Sequence, residues 1–383
     1  MTSANSLKIE ILDKISAISA DDWNQCVNAD EPFARHEFLS AVEDSGCVTA
    51  KTGWMPQHLV LRDVDGTVLT CSPLYLKSHS YGEYVFDWSW ADAYERAGGR
   101  YYPKLQCAIP FTPVSGHRIL RHPKATDQHI ALLFNAMTDR AKELKISSLH
   151  VTFCTEQEWD MAERHGFMRR SGHQYHWENL DYHSFDDFLA RLSSRKRKSI
   201  RKERKAVSQS GIDIQILTGS EISEIHWDAF YAFYMDTSGR KWGHPYLNRE
   251  FFSLLGERLG DNIVLVLCIK EDRIVAGALN LRGNQTIYGR YWGCLEDYRF
   301  LHFEACYYQA IDYAIAHKLK RVEAGAQGEH KIQRGYLPVK TYSAHWIADN
   351  GFSKAVQDFL DHDQKVNDLE ILELSKLSPY KET

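Results

Sequence analysis

The stretch that decides the fold is AGALNLRGNQTIYGRYWGCLEDYRFLHFEACYYQAIDYAIAHKLKRVEAGAQGEHK, Ala276 to Lys331. Its hydrophobic pattern reads as two adjacent strands, a polar loop, one long helix, and a strand that runs out into a polar, glycine-bearing loop. The loops at the two ends of the helix carry Arg290, His302, Glu304, Glu323, Gln327, Glu329, His330 and Lys331. Ionisable and amide side chains gathered at successive element ends point to a site rather than to a purely structural turn.

Working outward, a weaker copy of the same plan precedes this stretch. Trp23 and Trp227 each open a helical segment and Trp88 and Trp292 each end a strand pair, with equal separations in the two cases. The hairpin HLVLRDVDGTVLTCSPLYL parallels VLVLCIKEDRIVAGALNL, and ALLFNAMTDRAKELKISSLHVTF parallels ACYYQAIDYAIAHKLKRVEAGA. The first half carries a Tyr-, Gly- and Pro-rich insertion over residues 91–120. Strands alternating with helices in both halves give an α/β class with mixed central sheets flanked by helices. The boundary is expected near Tyr182, which gives a first domain of 1–181 and a second of 182–383. Ser184, with Asp187 three residues on, should cap the first helix of the second domain. The apolar spacing from Phe352 to Leu377 predicts a terminal helix packed on the second domain, broken near Asp361–Asp363.

At 383 residues the chain exceeds one ordinary core, and 44% hydrophobic with 25% charged residues is a globular composition. A net charge of −5 argues against a general nucleic-acid binder. The eight cysteines are scattered without C-x-x-C or Cys/His ligand spacing, so neither a zinc site nor a disulfide framework is expected. The N-terminus MTSANSLKIEILDKISAIS lacks the apolar run of a signal peptide, and no segment is long enough to span a bilayer. A cytoplasmic location is the expectation.

One segment departs from the acidic balance. Ser193 to Val207 holds eight positive side chains on a helical pattern whose apolar stripe is thin (Leu189, Leu192, Ile200, Val207). Arg195, Lys196, Arg197, Lys198 and Arg201 are candidate phosphate ligands, against the alternative of a solvated helix face.

Acyl transfer to an amine needs a polarised carbonyl, a neutral amine and a stabilised tetrahedral intermediate. Glu323, Glu329 and His330 are suitable proton acceptors, and Lys331 and Arg334 are suited to an anionic group. Tyr288, Arg290 and Trp292 alternate along one strand, and Arg290, Tyr291, Trp292, His302, Glu304 and Gln327 are candidate binding residues. In the first half, YGEYVFDWSWADAYERAGGRYYPKL offers Asp87, Trp90, Asp92 and Tyr94 for a polar, amine-bearing or sugar-like acceptor, or else as bracing for the interior. No nucleophile elbow, P-loop or H-E-x-x-H is present.

These residues lie in long runs that carry a family likeness: PFTPVSG, LSSRKRKSIRKER, RKWGHPYL, YGRYWGCLEDYRFLHFEACYYQAIDYAI and VEAGAQGEHKIQRGYLPV. Over nearly its whole length the chain resembles a predicted N-acyltransferase family of the GNAT superfamily, with Fem-like tandem domains of the peptidoglycan biosynthesis or recognition type. The resemblance implies two GNAT-like domains and transfer of an acyl or aminoacyl group to an amine. A small-molecule or cell-wall precursor would be the acceptor, with no tightly bound cofactor. The His330-Lys331 pair stands where Fem-like proteins carry an aromatic-Lys pair, which singles out Lys331. The usual GNAT glycine pattern at the start of the central helix is replaced by DYRFLHFE, Asp297 to Glu304, so acyl-coenzyme A and aminoacyl-tRNA both remain open as donors. A non-catalytic module that recognises a glycan or cell-wall precursor is the alternative.

Overall fold

The computed structural model describes residues 7–240 and 245–381. Of the RKWGHPYL segment, residues 241–244 lie outside the described residues. The chain forms two compact units, one of residues 1–172 with 341–367, the other of residues 173–340 with 368–383.

In the first unit, β1 (Lys8–Leu12), α1 (Ala20–Asn24) and α2 (His36–Asp44) precede β2 (Trp54–Pro56), β3 (His58–Arg62), β4 (Val68–Ser72) and β5 (Leu74–Lys77). The β3–β4 turn is fixed by the Asp63 carboxylate, which accepts from the backbone N–H groups of Asp65 and Thr67, both at 2.9 Å. Next come α3 (Trp88–Arg96), β6 (Lys104–Cys107), β7 (Leu120–Arg121), α4 (Asp127–Glu143), β8 (Ser148–Cys154), α5 (Glu156–Arg164) and the start of β9 (Met168–Glu178). Trp88 therefore opens a helix instead of ending a strand pair, and the inserted segment builds α3 and β6. Leu133, Phe134 and Met137 of α4 pack with Leu59, Leu61, Leu105, Leu149 and Val151 of the neighbouring strands. Each such buried side chain contributes about 1.5–3 kcal/mol.

The second unit begins with the remainder of β9. It continues through α6 (Phe185–Arg191), α7 (Ser194–Ser208), β10 (Asp213–Thr218), α8 (Glu224–Arg240), α9 (Arg249–Leu259), β11 (Ile263–Lys270), β12 (Arg273–Arg282) and β13 (Thr286–Cys294). Ser184 caps α6 by accepting from the Asp187 N–H at 3.1 Å. Glu271 and Asp272 both have positive φ, 50° and 60°, which makes the two-residue β11–β12 connection a primed hairpin turn. Then α10 (Leu301–Phe303), a π-helical turn (Glu304–Tyr308) and α11 (Gln309–Ala316) run on as one helix into β14 (Arg321–Glu323). The strand, loop, helix, strand order read from Ala276–Lys331 is the order found.

The strand order in this unit is β10-β11-β12-β13-β14-β9, antiparallel except for the parallel pair β13–β14. The first unit has its own parallel pair, β6–β8. The last strand, β15 (Leu337–Ile347), pairs through Tyr342–Ile347 with β8, so that part belongs to the first unit. Likewise β9, whose chain leaves the first unit, supplies Trp177 and His176 to β14. The units therefore divide at Gly172/His173, and each is completed by a strand from the other half of the sequence.

The terminal helix α12 (Asn350–Ser375) is continuous, with no break at Asp361–Asp363. Gln357 donates to Asp361 at 2.7 Å and Arg170 reaches Asp363 at 3.1 Å, so these acids are held along an unbroken helix. Its first part packs in the first unit, where Phe352, Val356 and Leu360 meet Trp90, Met168 and Ile347. That corrects the expectation of a helix lying on the second domain alone. No helix of the described residues is long and apolar enough to cross a membrane.

Candidate active site

Three local features converge around β13. First, β13 pairs with β14 over three residues only, Thr286–Tyr288 with Arg321–Glu323. Beyond that point β14 stays with β9, since the Ala324 N–H donates to the Tyr175 carbonyl at 3.1 Å and the Tyr175 N–H to the Gly325 carbonyl at 3.2 Å. Gly325, at φ +72°, then turns the chain away. A wedge opens between β13 and β14, and residues 289–292 on its edge are all half-buried.

Second, the β12–β13 register slips, with Leu279 opposite Tyr291 but Asn280 opposite Gly289. Arg290 is the extra residue of a β-bulge, a device that re-aims a side chain and recurs beside active sites. The slip ends the simple alternation expected of Tyr288, Arg290 and Trp292. Tyr288 and Tyr291 instead share one face of the sheet, and Gly289 and Trp292 the other. Third, the helix that starts at Leu301 contains the π-turn Glu304–Tyr308, a form often found at functional sites.

The sheet face of Tyr288 and Tyr291 also carries Glu323, in register with Tyr288, and His176, in register with Glu323. Glu323 and His176 are 5% and 4% exposed, and Glu323 Oε2 lies 3.7 Å from His176 Nε2. Burial, with Arg321 and Lys331 nearby, pushes the His176 imidazole down to about 3, so it is neutral across the physiological range. Gly293 on β13 allows α8 to approach: a Cβ there would stand 2.3 Å from the Phe233 carbonyl oxygen.

The opposite face is aromatic. The Trp292 and His302 rings lie 5.5 Å apart, His302 and Tyr307 5.4 Å, and His302 and His330 6.1 Å. Tyr307 Oη and His330 Nε2 are 3.1 Å apart, and burial with Arg334 and Lys331 nearby lowers the His330 pKa. The Lys331 ammonium is buried and donates to the Ala324 and Gly325 carbonyls, the latter at 3.2 Å, where it braces the turn that leaves the wedge. Gln327 and Glu329 are exposed on the same loop. Glu304 is turned inward, accepting from Arg204 at 3.0 Å and from Gln309 at 2.8 Å.

Helix α7 has two sides. Inward, Glu203 takes two bonds from Arg334 Nη2, at 2.9 and 3.0 Å, and one from the Tyr308 hydroxyl, so Arg334 is engaged within the interior. Outward, Arg201 pairs with Asp186 at 2.7 Å and Arg195 and Lys198 are exposed; these two and the half-buried Lys196 and Arg197 form no ion pair among the described residues.

The four first-unit candidates are not brought together. Asp87 is 2% exposed, accepting from Lys104 at 2.5 Å and from the Tyr101 hydroxyl at 2.7 Å, with His150 Nε2 3.6 Å away. Lys104 also donates to Ser80 and Glu83, each at 2.7 Å, and Lys77 lies 3.8 Å from Glu83 and 3.5 Å from the Trp54 ring centre. His150 and His345 meet at 2.8 Å, with Trp90 stacked edge-on to His345 at 5.0 Å. Asp92 points outward to Arg96 at 2.7 Å, and Tyr94 packs on Phe352 at 4.6 Å.

Sequence reasoning passed over His176, Lys77, His150 and His345. A histidine between Tyr175 and Trp177 in a strand was the available signal for His176, but its partner lies far away in the chain.

Among the described residues no His, Cys, Asp or Glu cluster has metal-site geometry, and none of the eight cysteines is in a disulfide. No curated protein sequence matches the chain significantly. Among solved structures, the C-terminal domain of a putative lysylphosphatidylglycerol synthetase from Agrobacterium fabrum is similar, with TM-score 0.56 and 7% identity over 88% of this chain and 96% of that one. FemX gives 0.56 and 10% over 89% and 98%. L-PGS from Bacillus licheniformis gives 0.50 and 12% over 84% and 95%. At such identities the likeness is one of fold, that of two GNAT-like units in tandem. A FemAB-like family profile matches residues 14–382, and the chain belongs to that family, described as peptidoglycan biosynthesis/recognition.

Proposed function

We propose that the protein is an N-acyltransferase that moves an acyl or aminoacyl group from an activated ester or thioester to an amine, with a cell-wall precursor as the acceptor class. The observation that carries this reading is the wedge between β13 and β14 with a buried carboxylate, Glu323, at its vertex. Backbone groups freed along β13 are available to hold the donor carbonyl in place, as one strand edge holds another. Trp292, His302 and His330 line the donor side, and Arg290, displaced by the bulge, meets an anionic group of either substrate. The cations of α7 from Arg195 to Lys198, with Arg195 and Lys198 exposed and Lys196 and Arg197 half-buried, suit the phosphates of a nucleotide or tRNA carrier.

The acceptor amine approaches from the face of Tyr288 and Tyr291. Its nitrogen attacks the acyl carbon directly, and the N–H proton passes to the Glu323 carboxylate. The C–S or C–O bond to the carrier then breaks, and the proton moves from Glu323 to the departing thiolate or alkoxide. Lys331 shapes the turn, and Glu329 and Gln327 stand at the mouth where an acceptor would be read. The fold shared with FemX and the lysylphosphatidylglycerol synthetases agrees with an acyl or aminoacyl transferase role.

The test is calorimetry and transfer assays of the full chain with acetyl-coenzyme A, longer acyl-coenzyme A and charged tRNA, with cell-wall precursor as acceptor. Binding with turnover that is lost in Glu323→Gln is the expected result. Silence toward all three donors removes the transfer reading, and binding of precursor without turnover replaces it by recognition alone.

A further inference from the structure

Among the described residues five histidines are buried: His58, His122, His150, His176 and His345. Four of them have a ring nitrogen in a hydrogen bond. His58 meets Glu43 at 2.8 Å, His122 accepts from the Lys124 N–H at 3.1 Å, and His150 and His345 bond each other and nearby serines. His176 has neither ring nitrogen bonded. A buried donor left without an acceptor costs about 1–3 kcal/mol, so such a group needs a reason. On the adjoining strand the Glu323 carboxylate lies 3.7 Å from Nε2, just outside bonding range. Catalytic bonds are often long before substrate arrives and tighten in the complex.

We propose that His176 is the positioning residue for Glu323: its Nε2–H closes on the carboxylate, turns it toward the wedge between β13 and β14, and holds it ionised without adding a positive charge. The inference rests on Glu323 being the proton acceptor of the proposed function. Its geometry follows from register, because His176 and Glu323 are cross-strand partners on adjacent strands and so project from one face. Arg321 on β14 and Lys331 on the following turn are the charges that face the imidazole, and both disfavour its protonation. A neutral imidazole in a fixed tautomer donates one bond without competing for the amine's proton. Arg321 Nη1 lies 3.9 Å from Glu323 Oε1, so the imidazole's part is to direct the other oxygen, Oε2, without adding a second charge.

The test reads the pair directly and needs no substrate. In full-length protein with isotope-labelled imidazoles and glutamate carboxyls, His176 should remain neutral as the Nε2–H tautomer from pH 5 to 8. Glu323→Gln should shift the His176 nitrogen resonances and leave those of His150 and His345 in place. In His176→Leu the Glu323 carboxyl should titrate about one pH unit higher, and His176→Gln, which keeps a donor, should restore it. A ring that exchanges tautomers, or a Glu323 titration unmoved by His176→Leu, overturns the proposal. If the leucine variant does not fold, wild type, Glu323→Gln and His176→Gln still decide between these outcomes. Once turnover is measured, the acidic limb of its pH profile should shift in His176→Leu with KM unchanged, and a profile identical to wild type also overturns it. A silent donor screen removes the transferase reading and leaves the pair to stand or fall on the resonance data.

Discussion

Both units bury carboxylates beside histidines, and they do so to opposite ends. In the first unit Lys104 donates to Ser80, Glu83 and Asp87, and its three ammonium protons are all used. Two lysines face two carboxylates, the Tyr101 hydroxyl donates to Asp87, and His150 and His345 bond each other beside it. In the second unit Glu323 and His176 sit at similar depth but stop short of each other, at the point where two strands part. In the first unit one ammonium is bonded to both carboxylates, while in the second the His176 ring can still close on Glu323. Burial of charge alone therefore does not mark a reaction site. An opening in the backbone next to it does.

The largest effect should come from removing the centre of the Lys104 network. Lys104→Met leaves Glu83 and Asp87 buried with only Lys77 for compensation, and should destabilise the fold by about 3–5 kcal/mol in urea denaturation. A loss under about 1 kcal/mol would show that water reaches these carboxylates. The matching change in the second unit, Glu323→Gln, should leave the denaturation midpoint close to wild type and lower transfer by roughly 10²–10⁴-fold. Equal losses of stability from the two changes would erase the distinction between the units.

The two sites should also answer differently to pH. Burial beside Lys104 holds His150 at about 3 against an ordinary 6.5, so the unfolded chain binds the proton first. The imidazole's contribution to stability is complete above pH 6.5 and is lost as pH falls from there toward about 3. Glu83, pushed up to about 7 by burial, works in the other direction between pH 4.5 and 7. The informative quantity is therefore the difference between wild type and His150→Gln, whose stabilities should converge as pH falls from 7 to 4. Parallel curves would mean that His150 is not neutral in the folded protein.

How much of this was legible beforehand follows the range of the interactions. Helix 301–316 and the β11–β12 hairpin show as local periodicity, and Ser184 as a cap is a three-residue signal. Trp88 misled because its partner Trp292 suggested a repeat, whereas Asp87 is drawn to Lys104 and Tyr101 and the chain coils into α3. The pairing of Tyr342–Ile347 with β8 has no local mark, because strand partners are chosen across the whole sequence. The slip at Arg290 is equally silent, since one extra residue in a strand changes no composition. Asp87 and Trp90 were visible as unusual residues, but only their three-dimensional neighbours show that Asp87 is bonded to Lys104 and Tyr101 and that Trp90 packs on His345. Lys331 was singled out by its place beside His330, and the structure gives it a specific task in holding Ala324 and Gly325.

The outer side of α7 should matter least to the fold, and there the contrast between committed and available charge reaches the surface. Glu203 and Arg204 on the inner side are tied to Arg334, Glu304 and Asp312, whereas Arg195 and Lys198 on the outer side form no ion pair among the described residues. Replacing both with glutamine removes like-charge repulsion along the helix as well as two solvated cations, so stability should stay within about 0.5 kcal/mol of wild type. If these cations meet the carrier's phosphates, binding of coenzyme A or of uncharged tRNA should weaken in the same variant. For tRNA the slope of log affinity against log salt should become shallower by roughly 0.7–0.9 for each phosphate no longer neutralised. An unchanged slope together with unchanged affinity would separate α7 from the donor and leave its positive face as a solvated surface. A weakened tRNA affinity with coenzyme A unaffected would select the ester-linked donor, the choice that the glycine-free start of the central helix leaves open.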